Sequence, residues 1–350
     1  MNAASSESSS SGGPGPWTRE YPLHDGLPMG QGVVESAQLP SQAENDLHVC
    51  VIDGDLWVHC TGLTSQLAGG VWVHGIAFAA RMQPGNLHGV LGAGWILSDI
   101  PFLVVAMNPD GNLALGVVGG GVSVSWFNLG AGGGWLAGTG SQGGLHDDLV
   151  TRSFQFTLGD SYGYTFHSFD DELPRQVRGR LKELTDHGQR AAKVAYGDHD
   201  EVSRVAWLDS RGTTEVQYDY ERCFAGTPRL VAVTLTENGG LVRRVRYGYS
   251  ALVALNQVRQ NFLETWTGTE WALMRLISFA YGPHSAEPKC VSQLREISIY
   301  LPREGVDAAV QEAEEVGKYR IQYDRSGRVK SIRHAGLGSP PVFLAGRSPT

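Results

Sequence analysis

Three short stretches of this 350-residue sequence gather side chains that could do acid–base or metal chemistry. His146, Asp147 and Asp148 stand together after a glycine-rich run, an imidazole beside two carboxylates that could hold a divalent cation or exchange a proton. Neighbouring side chains on an extended chain point to opposite faces, so these three need partners from elsewhere to converge, and the reading is a turn or solvated loop. Asp198, His199, Asp200 and Glu201 could offer oxygen ligands to a hard cation, but they lack the spaced positions and the glycine of a calcium-binding loop. His59 and His74, in Trp-Val-His-Cys and Trp-Val-His-Gly, read as polar-face positions of two related strands. No H-E-x-x-H, G-x-S-x-G or G-x-x-x-x-G-K occurs. No catalytic residue, metal ligand or cofactor is therefore assigned, and the chain is read as non-enzymatic, with a hydrolase of unrecognised type as an alternative.

Binding chemistry is the other option. Trp57, Trp72, Trp126 and Trp135, with Trp95, crowd the N-terminal part of the chain, and exposed indoles on a sheet face can stack on sugar rings. This makes a carbohydrate-binding or adhesion module an alternative function. Against it, Trp57 and Trp72 lie in alternating apolar strands, where a large ring is more often core.

The elements that would position these groups are β-hairpins. In Tyr319, Ile321 and Tyr323 the apolar residues alternate with Arg320, Gln322 and Asp324, the period of two that buries one strand face. Asp324 can accept bonds from the following N–H groups and Gly327 can supply positive φ, so Tyr323–Ile332 reads as strand, turn and return strand. The same grammar occurs over Gly179–Asp198, with a turn at Asp186–Gly188 and an ending on Tyr196. It recurs over Val202–Tyr220, with Asp209–Gly212 spelling the D-x-x-G of Asp324–Gly327 and a Tyr218-Asp219 ending. A third unit turns at Asn238-Gly239 and closes on Tyr247 and Tyr249, and a degraded fourth covers Trp271–Tyr281. A lone hairpin buries too little to be stable, so the units must stack into a continuous sheet.

These tyrosine-ended hairpins resemble the RHS/YD-repeat family. A second leg of the resemblance is Asn86–Ser98, which is similar to that family's G-x-x-G-x-G-W-x-L-S segment through Gly89, Gly92, Gly94, Trp95, Leu97 and Ser98. The resemblance covers residues 45–335 and implies an all-β fold of stacked antiparallel hairpins in a long curved or spiralling sheet. Gly89, Gly92, Gly94, Trp95, Tyr196, Tyr218, Asp219, Tyr247, Tyr323, Asp324 and Gly327 would be its structural residues. It further implies a shell protein whose partner is a protein cargo or another repeat-containing chain. The D-P-x-G-L type segment at which such shells release their cargo does not occur. A piece of a larger assembly, a truncated member or a stand-alone module is expected.

Composition fits many tight turns: 46 glycines and only 18% charged residues, against typical shares of about 7% and about 25%. A net charge of −8 with no basic block argues against nucleic acid, and Arg243, Arg244 and Arg246 should divide between two strand faces. Residues 1–44, rich in Ser, Gly and Pro, read as a disordered tail, not as a secretion signal. No apolar run is long enough for a membrane helix, so a soluble protein is expected. The remaining divisions are 45–175, a β-rich opening segment; 176–335, the degenerate repeats; and 336–350, a loose tail. A short helix is expected near 306–316. Four cysteines without a C-x-x-C pair read as buried thiols, and a hairpin centred on Asp53-Gly54 would set Cys50 opposite Trp57, not Cys60.

Overall fold

The computed structural model describes residues 47–336 except 53–54, 68–69, 80–89, 93, 108–110, 120–122, 140, 142, 159–161, 175–176, 187–188, 199–200, 210, 223–227, 250–256, 283–292, 303–312 and 325–326. The described chain is all-β, in 22 strands and three antiparallel sheets. An opening sheet is formed by β1 (Leu47–Ile52), β2 (Asp55–Leu67), β3 (Gly70–Ala79) and β4 (Trp95–Leu97). A second sheet contains β5 (Phe102–Met107), β6 (Leu113–Gly119), β7 (Ser123–Leu129) and β8 (Trp135–Ala137).

The third sheet has 14 strands in strict sequence order, so each strand pairs only with its chain neighbours. It begins with β9 (Gly144–Asp148), β10 (Ser153–Leu158) and β11 (Tyr162–His167). The hairpins expected from sequence follow as β12 (Leu181–Asp186) with β13 (Gln189–Tyr196), β14 (Val202–Asp209) with β15 (Gly212–Arg222), and β16 (Pro228–Glu237) with β17 (Gly240–Tyr249). The last strands are β18 (Val258–Trp266), β19 (Trp271–Gly282), β20 (Gln293–Pro302), β21 (Ala313–Tyr323) and β22 (Val329–Gly336). The long sheet takes strands from both of the expected segments, β9–β11 from the first and β12–β22 from the repeats.

Turn chemistry explains the register. Asp186 faces Gln189, Asp209 faces Gly212 and Glu237 faces Gly240 across two-residue loops. In the last of these Asn238 and Gly239 both take positive φ, 52° and 78°, as a primed turn requires. Asp324–Gly327 differs despite its matching spelling. It joins β21 to β22, with Asp324 Oδ1 accepting the Arg328 N–H at 3.0 Å and Tyr323 opposite Val329. Turns alternate between the two ends of a meander, so this one lies at the opposite sheet end from Asp209–Gly212. Tyr323–Ile332 is thus the joint between two units, not a unit itself.

The helix expected near 306–316 is absent where it can be followed. Residues 313–316 open β21, with Pro302 facing Ala313 and Leu301 facing Glu314. The ladder of β20 decides this, because four residues with helical spacing gain less from one helical turn than from completing an existing sheet. Residues 306–312 lie outside the described residues, as do the tails 1–44 and 337–350. Among the described residues no helix is long and apolar enough to cross a membrane. Cys50 does face Trp57, and Cys60 is a buried free thiol; Cys223 and Cys290 lie outside the described residues.

One hydrophobic core joins all three sheets, from Val49 to Ile332. Along β15, β17 and β19 it takes alternate residues, leaving the other face to solvent and to a small outer cluster of Phe262, Leu273 and Leu276.

Candidate functional site

Two constructions dominate the inner face of the long sheet: a ladder of tyrosine hydroxyls, and a polar seam that binds the opening sheet to it. The ladder has five rungs. Tyr196 Oη donates to the Leu181 carbonyl at 2.7 Å, Tyr220 to Val202 at 2.8 Å, Tyr281 to Val258 at 2.6 Å and Tyr323 to Leu294 at 2.7 Å, while Tyr249 donates to Leu230. Each tyrosine lies within two residues of the end of a hairpin's second strand, and each acceptor within two residues of the start of the same hairpin's first strand. Donor and acceptor lie 15, 18, 19, 23 and 29 residues apart, so the geometry is kept while the chain between them lengthens.

A β-bulge accompanies every rung. The register shifts between Ala195 and Tyr196, Asp219 and Tyr220, Gly248 and Tyr249, Ala280 and Tyr281, and Gln322 and Tyr323. Beyond each bulge the tyrosine faces an apolar residue of the next hairpin: Val202, Leu230, Val258, Leu294 and Val329. Each unit is therefore closed by its own hydroxyl and keyed to the following unit by the same ring. Bulges also increase local twist, so five at one sheet end bias the whole sheet to coil. Burial raises the Tyr196, Tyr220, Tyr281 and Tyr323 phenols well above their ordinary value of 10.0, keeping these donors protonated.

The tyrosines picked out from sequence all pack in or against the core, and they fall into two sets. Tyr196 and Tyr323 are rungs, but Tyr218 and Tyr247 lie two residues before their rungs, on the same strand face, and reach into the seam. Asp219 accepts from Gln217 Nε2 at 3.0 Å beside a bulge, and Asp324 holds a turn, so the two aspartates occupy different places. The signal that separates them is an apolar residue, any residue, then tyrosine: Val194 before Tyr196, Tyr218 before Tyr220, Tyr247 before Tyr249, Phe279 before Tyr281 and Ile321 before Tyr323.

The seam is buried and polar. His74 on β3 is fully enclosed; its Nδ1 lies 3.1 Å from both Asp99 carboxylate oxygens and its Nε2 2.8 Å from Tyr247 Oη. Tyr218 Oη donates to Asp99 Oδ2 at 2.6 Å. Burial first, then the charge of Asp99, holds the Tyr218 and Tyr247 phenols well above their usual range. The polar-face position expected for His74 is buried, because β3 is covered there by the repeat hairpins. His59, half-buried on β2, has Nε2 2.9 Å from Ser98 Oγ.

Further contacts extend the seam across β14–β19. Trp207 Nε1 donates to the Gln66 carbonyl at 3.1 Å and Arg275 to the Thr61 carbonyl at 2.5 Å. Trp95 donates to Tyr281 Oη at 2.8 Å and packs on Phe279 and Phe78 with ring centroids 4.7 and 5.2 Å away. Gly92 and Gly94 hold the turn before it with φ of 80° and 81°, and the Trp95 N–H donates to the Gly92 carbonyl at 3.2 Å. Just upstream, the Val90 carbonyl accepts the Leu230 N–H at 2.9 Å, beside a bulge. The glycine-tryptophan segment therefore spans two rungs. Gly89 lies outside the described residues.

No protein-family model matches the chain, and no curated protein matches it. Among solved structures, similarity is found to a crystal structure of TcdB2-TccC3 without its hypervariable C-terminal region, at 10% identity, TM-score 0.38, over 85% of this chain and 17% of that chain. A TcdB2-TccC3-Cdc42 structure is similar at 10% identity, TM-score 0.35, over 77% of this chain and 16% of that one. A porin-like protein from Bacteroides uniformis is similar at 12% identity, TM-score 0.29, over 70% of this chain and 92% of its own. The chain spans less than a fifth of the length of the two TcdB2-TccC3 chains.

The remaining sequence candidates are dispersed. Trp57 and Trp72 are 2% and 3% exposed and closed to any ligand, whereas Trp126 and Trp135 are half-buried in the second sheet. His146, Asp147 and Asp148 lie on the edge strand β9, facing Gln155, Phe154 and Ser153. Asp148 Oδ1 accepts the Val150 and Thr151 N–H groups, and hydrogen bonding from the Thr151 side chain, then from these backbone groups, holds its carboxyl below the usual carboxylate range. Glu201 accepts the Gly197 N–H through its backbone at the joint after β13, while His199 and Asp200 lie outside the described residues. Arg244 and Arg246 share one face and pair with Glu264; Arg243 lies on the other side of the strand.

Proposed function

We propose that this chain is a non-catalytic structural or interaction protein: a hairpin-repeat wall of the RHS/YD kind that joins a protein cargo or a further repeat-containing chain. The five-rung ladder carries this reading. Each rung keys one hairpin to the next, so the construction extends in one direction by adding equivalent units. The last strand, β22, has one described neighbour, and its outer edge is of the type to which another strand can be added. The opening sheet fills the inner face along β14–β19, which leaves the edge and the second-sheet side as the surfaces on which partners would act.

The test is co-purification of the full chain with the products of neighbouring coding sequences, followed by electron microscopy of any complex. A stoichiometric complex with a repeat-containing or cargo chain is the expected result. A chain that binds neither and instead hydrolyses a substrate, with the activity abolished by one His or Asp substitution, would overturn the proposal. A glycan-binding role now concerns only Trp126 and Trp135, and glycan-array binding lost in a Trp126→Ala variant is the result that would favour it.

A further inference from the structure

Away from the ladder and seam, the second sheet meets the start of the long sheet around a pocket of about 300 Å3. Val105, Leu113, Leu115, Trp135, Phe154 and Phe169 form its apolar wall. Trp135, Phe154 and Phe169 stand in a row with ring centroids 6.1 Å apart at each step. Asp147, Arg152 and Asp170 rim the pocket with Leu149.

The rim has two properties. Its charge is unbalanced: Arg152 pairs with Asp170 at 3.4 Å and with Glu172, whereas Asp147 has no ion-pair partner among the described residues. Partial burial, and secondarily the charge of Asp148, pushes the Asp147 carboxyl above its usual value, as expected where a cation is lacking. The rim is also apolar well beyond the pocket. Leu149 is 82% exposed, Val150 93% and Met107 63%, and Met107 faces Leu113 across β5 and β6 on the pocket side. Single exposed apolar residues are ordinary, but Leu149 on the rim, with Val150 next to it in the turn and Met107 opposite the lining residue Leu113, extends the apolar surface beyond the pocket.

The patch is held in place before anything binds. Asp148 fixes the β9–β10 turn through the Val150 and Thr151 N–H groups at 2.9 and 3.0 Å. Arg152 adopts φ of 51°, and its carbonyl accepts the Ser168 N–H at 2.9 Å. A preorganised turn loses little freedom on binding.

We propose that this pocket docks a partner protein segment presenting a bulky apolar side chain next to a lysine or arginine. The apolar side chain fills the space between Trp135 and Phe169, the cation meets Asp147, and Leu149 and Val150 cover the flanking backbone. The apolar rim extends past the pocket, which favours a polypeptide over a small molecule. This site would operate whether or not the wall belongs to a larger shell.

Three capped hexapeptides carrying Trp-Lys, Trp-Glu or Ala-Lys at their centre test it, titrated into the full chain and followed by saturation-transfer NMR. The Trp-Lys peptide should bind about tenfold more tightly than the Trp-Glu peptide, with no binding of Ala-Lys. Asp147→Asn should abolish that preference without changing the melting temperature, and Leu149→Ser should weaken both tryptophan peptides. Equal binding of the Trp-Lys and Trp-Glu peptides, or a preference that survives Asp147→Asn, overturns the proposal. So does naphthylmethylammonium binding as tightly as the Trp-Lys peptide and unaffected by Leu149→Ser, which would mark a small-molecule pocket.

Discussion

The repeat wall and the opening sheet are built from similar antiparallel strands but held by different kinds of bond. In the wall one contact recurs five times, between partners 15 to 29 residues apart, and no rung depends on a distant one. In the seam each contact from the opening segment to the long sheet occurs once, between partners 119 to 214 residues apart: Tyr218 with Asp99, His74 with Tyr247, Trp95 with Tyr281 and Arg275 with Thr61 among them. A repeated local contact spreads stability over many small increments. A set of single long-range contacts concentrates it, and should fail as a unit.

Breaking the seam should therefore have the largest effect. Trp95→Ala removes a 1%-exposed ring and a donor to Tyr281, and should cost about 3–5 kcal/mol, read as a lowered urea midpoint. His74→Ala leaves the buried Tyr247 hydroxyl without its partner and Asp99 with only the Tyr218 hydroxyl, and should cost about 3 kcal/mol by the same measurement. Native-state hydrogen exchange sharpens the contrast: in either variant the amides of β2 and β3 should lose protection before those of β20 and β21. Uniform loss would mean that the two regions are one cooperative unit.

Alkaline pH should address both regions. The Tyr196, Tyr218, Tyr220, Tyr247, Tyr281 and Tyr323 phenols are raised in the fold, so above the ordinary value of 10.0 the unfolded chain releases protons that the folded chain retains. Stability is then complete below pH 10 and falls as pH rises beyond it. Denaturant titrations at stepped pH should show this decline, and Tyr196→Phe should make it shallower.

Single rungs come next. Tyr220→Phe should cost about 1 kcal/mol, because the Val202 carbonyl loses one donor while the ring stays in place. Tyr196→Phe and Tyr323→Phe, at opposite ends of the ladder, should have additive effects on the urea midpoint; strong coupling between them would contradict nearest-neighbour construction. The smallest change is Arg320→Ala, which removes an exposed pair with Glu296 on the outer face and should cost less than about 0.5 kcal/mol.

Much of the wall was legible in the residues. Alternation marked the strands, and Asn238-Gly239 and Asp209–Gly212 marked two-residue loops, because those turns depend on local backbone preferences alone. The rung tyrosines were half legible. In Tyr218-Asp219-Tyr220 both rings lie on one face, and only the bulge at Asp219 decides which of them reaches the Val202 carbonyl. The seam was not legible, since nothing near His74 in sequence announces Asp99, Tyr218 and Tyr247 as its neighbours. The helix expected near 306–316 failed where it can be followed because short-range helical spacing competed with a strand, β20, that already had a free edge.

The sequence by itself determined that this chain forms antiparallel hairpins in order, because a period of two and well-placed turn residues act over a few positions. Only the tertiary structure decided which face of each hairpin is covered and by what. Alternation specifies that one side must leave water, but the opening sheet that excludes the water, and the histidine and aspartate buried with it, come from more than a hundred residues away.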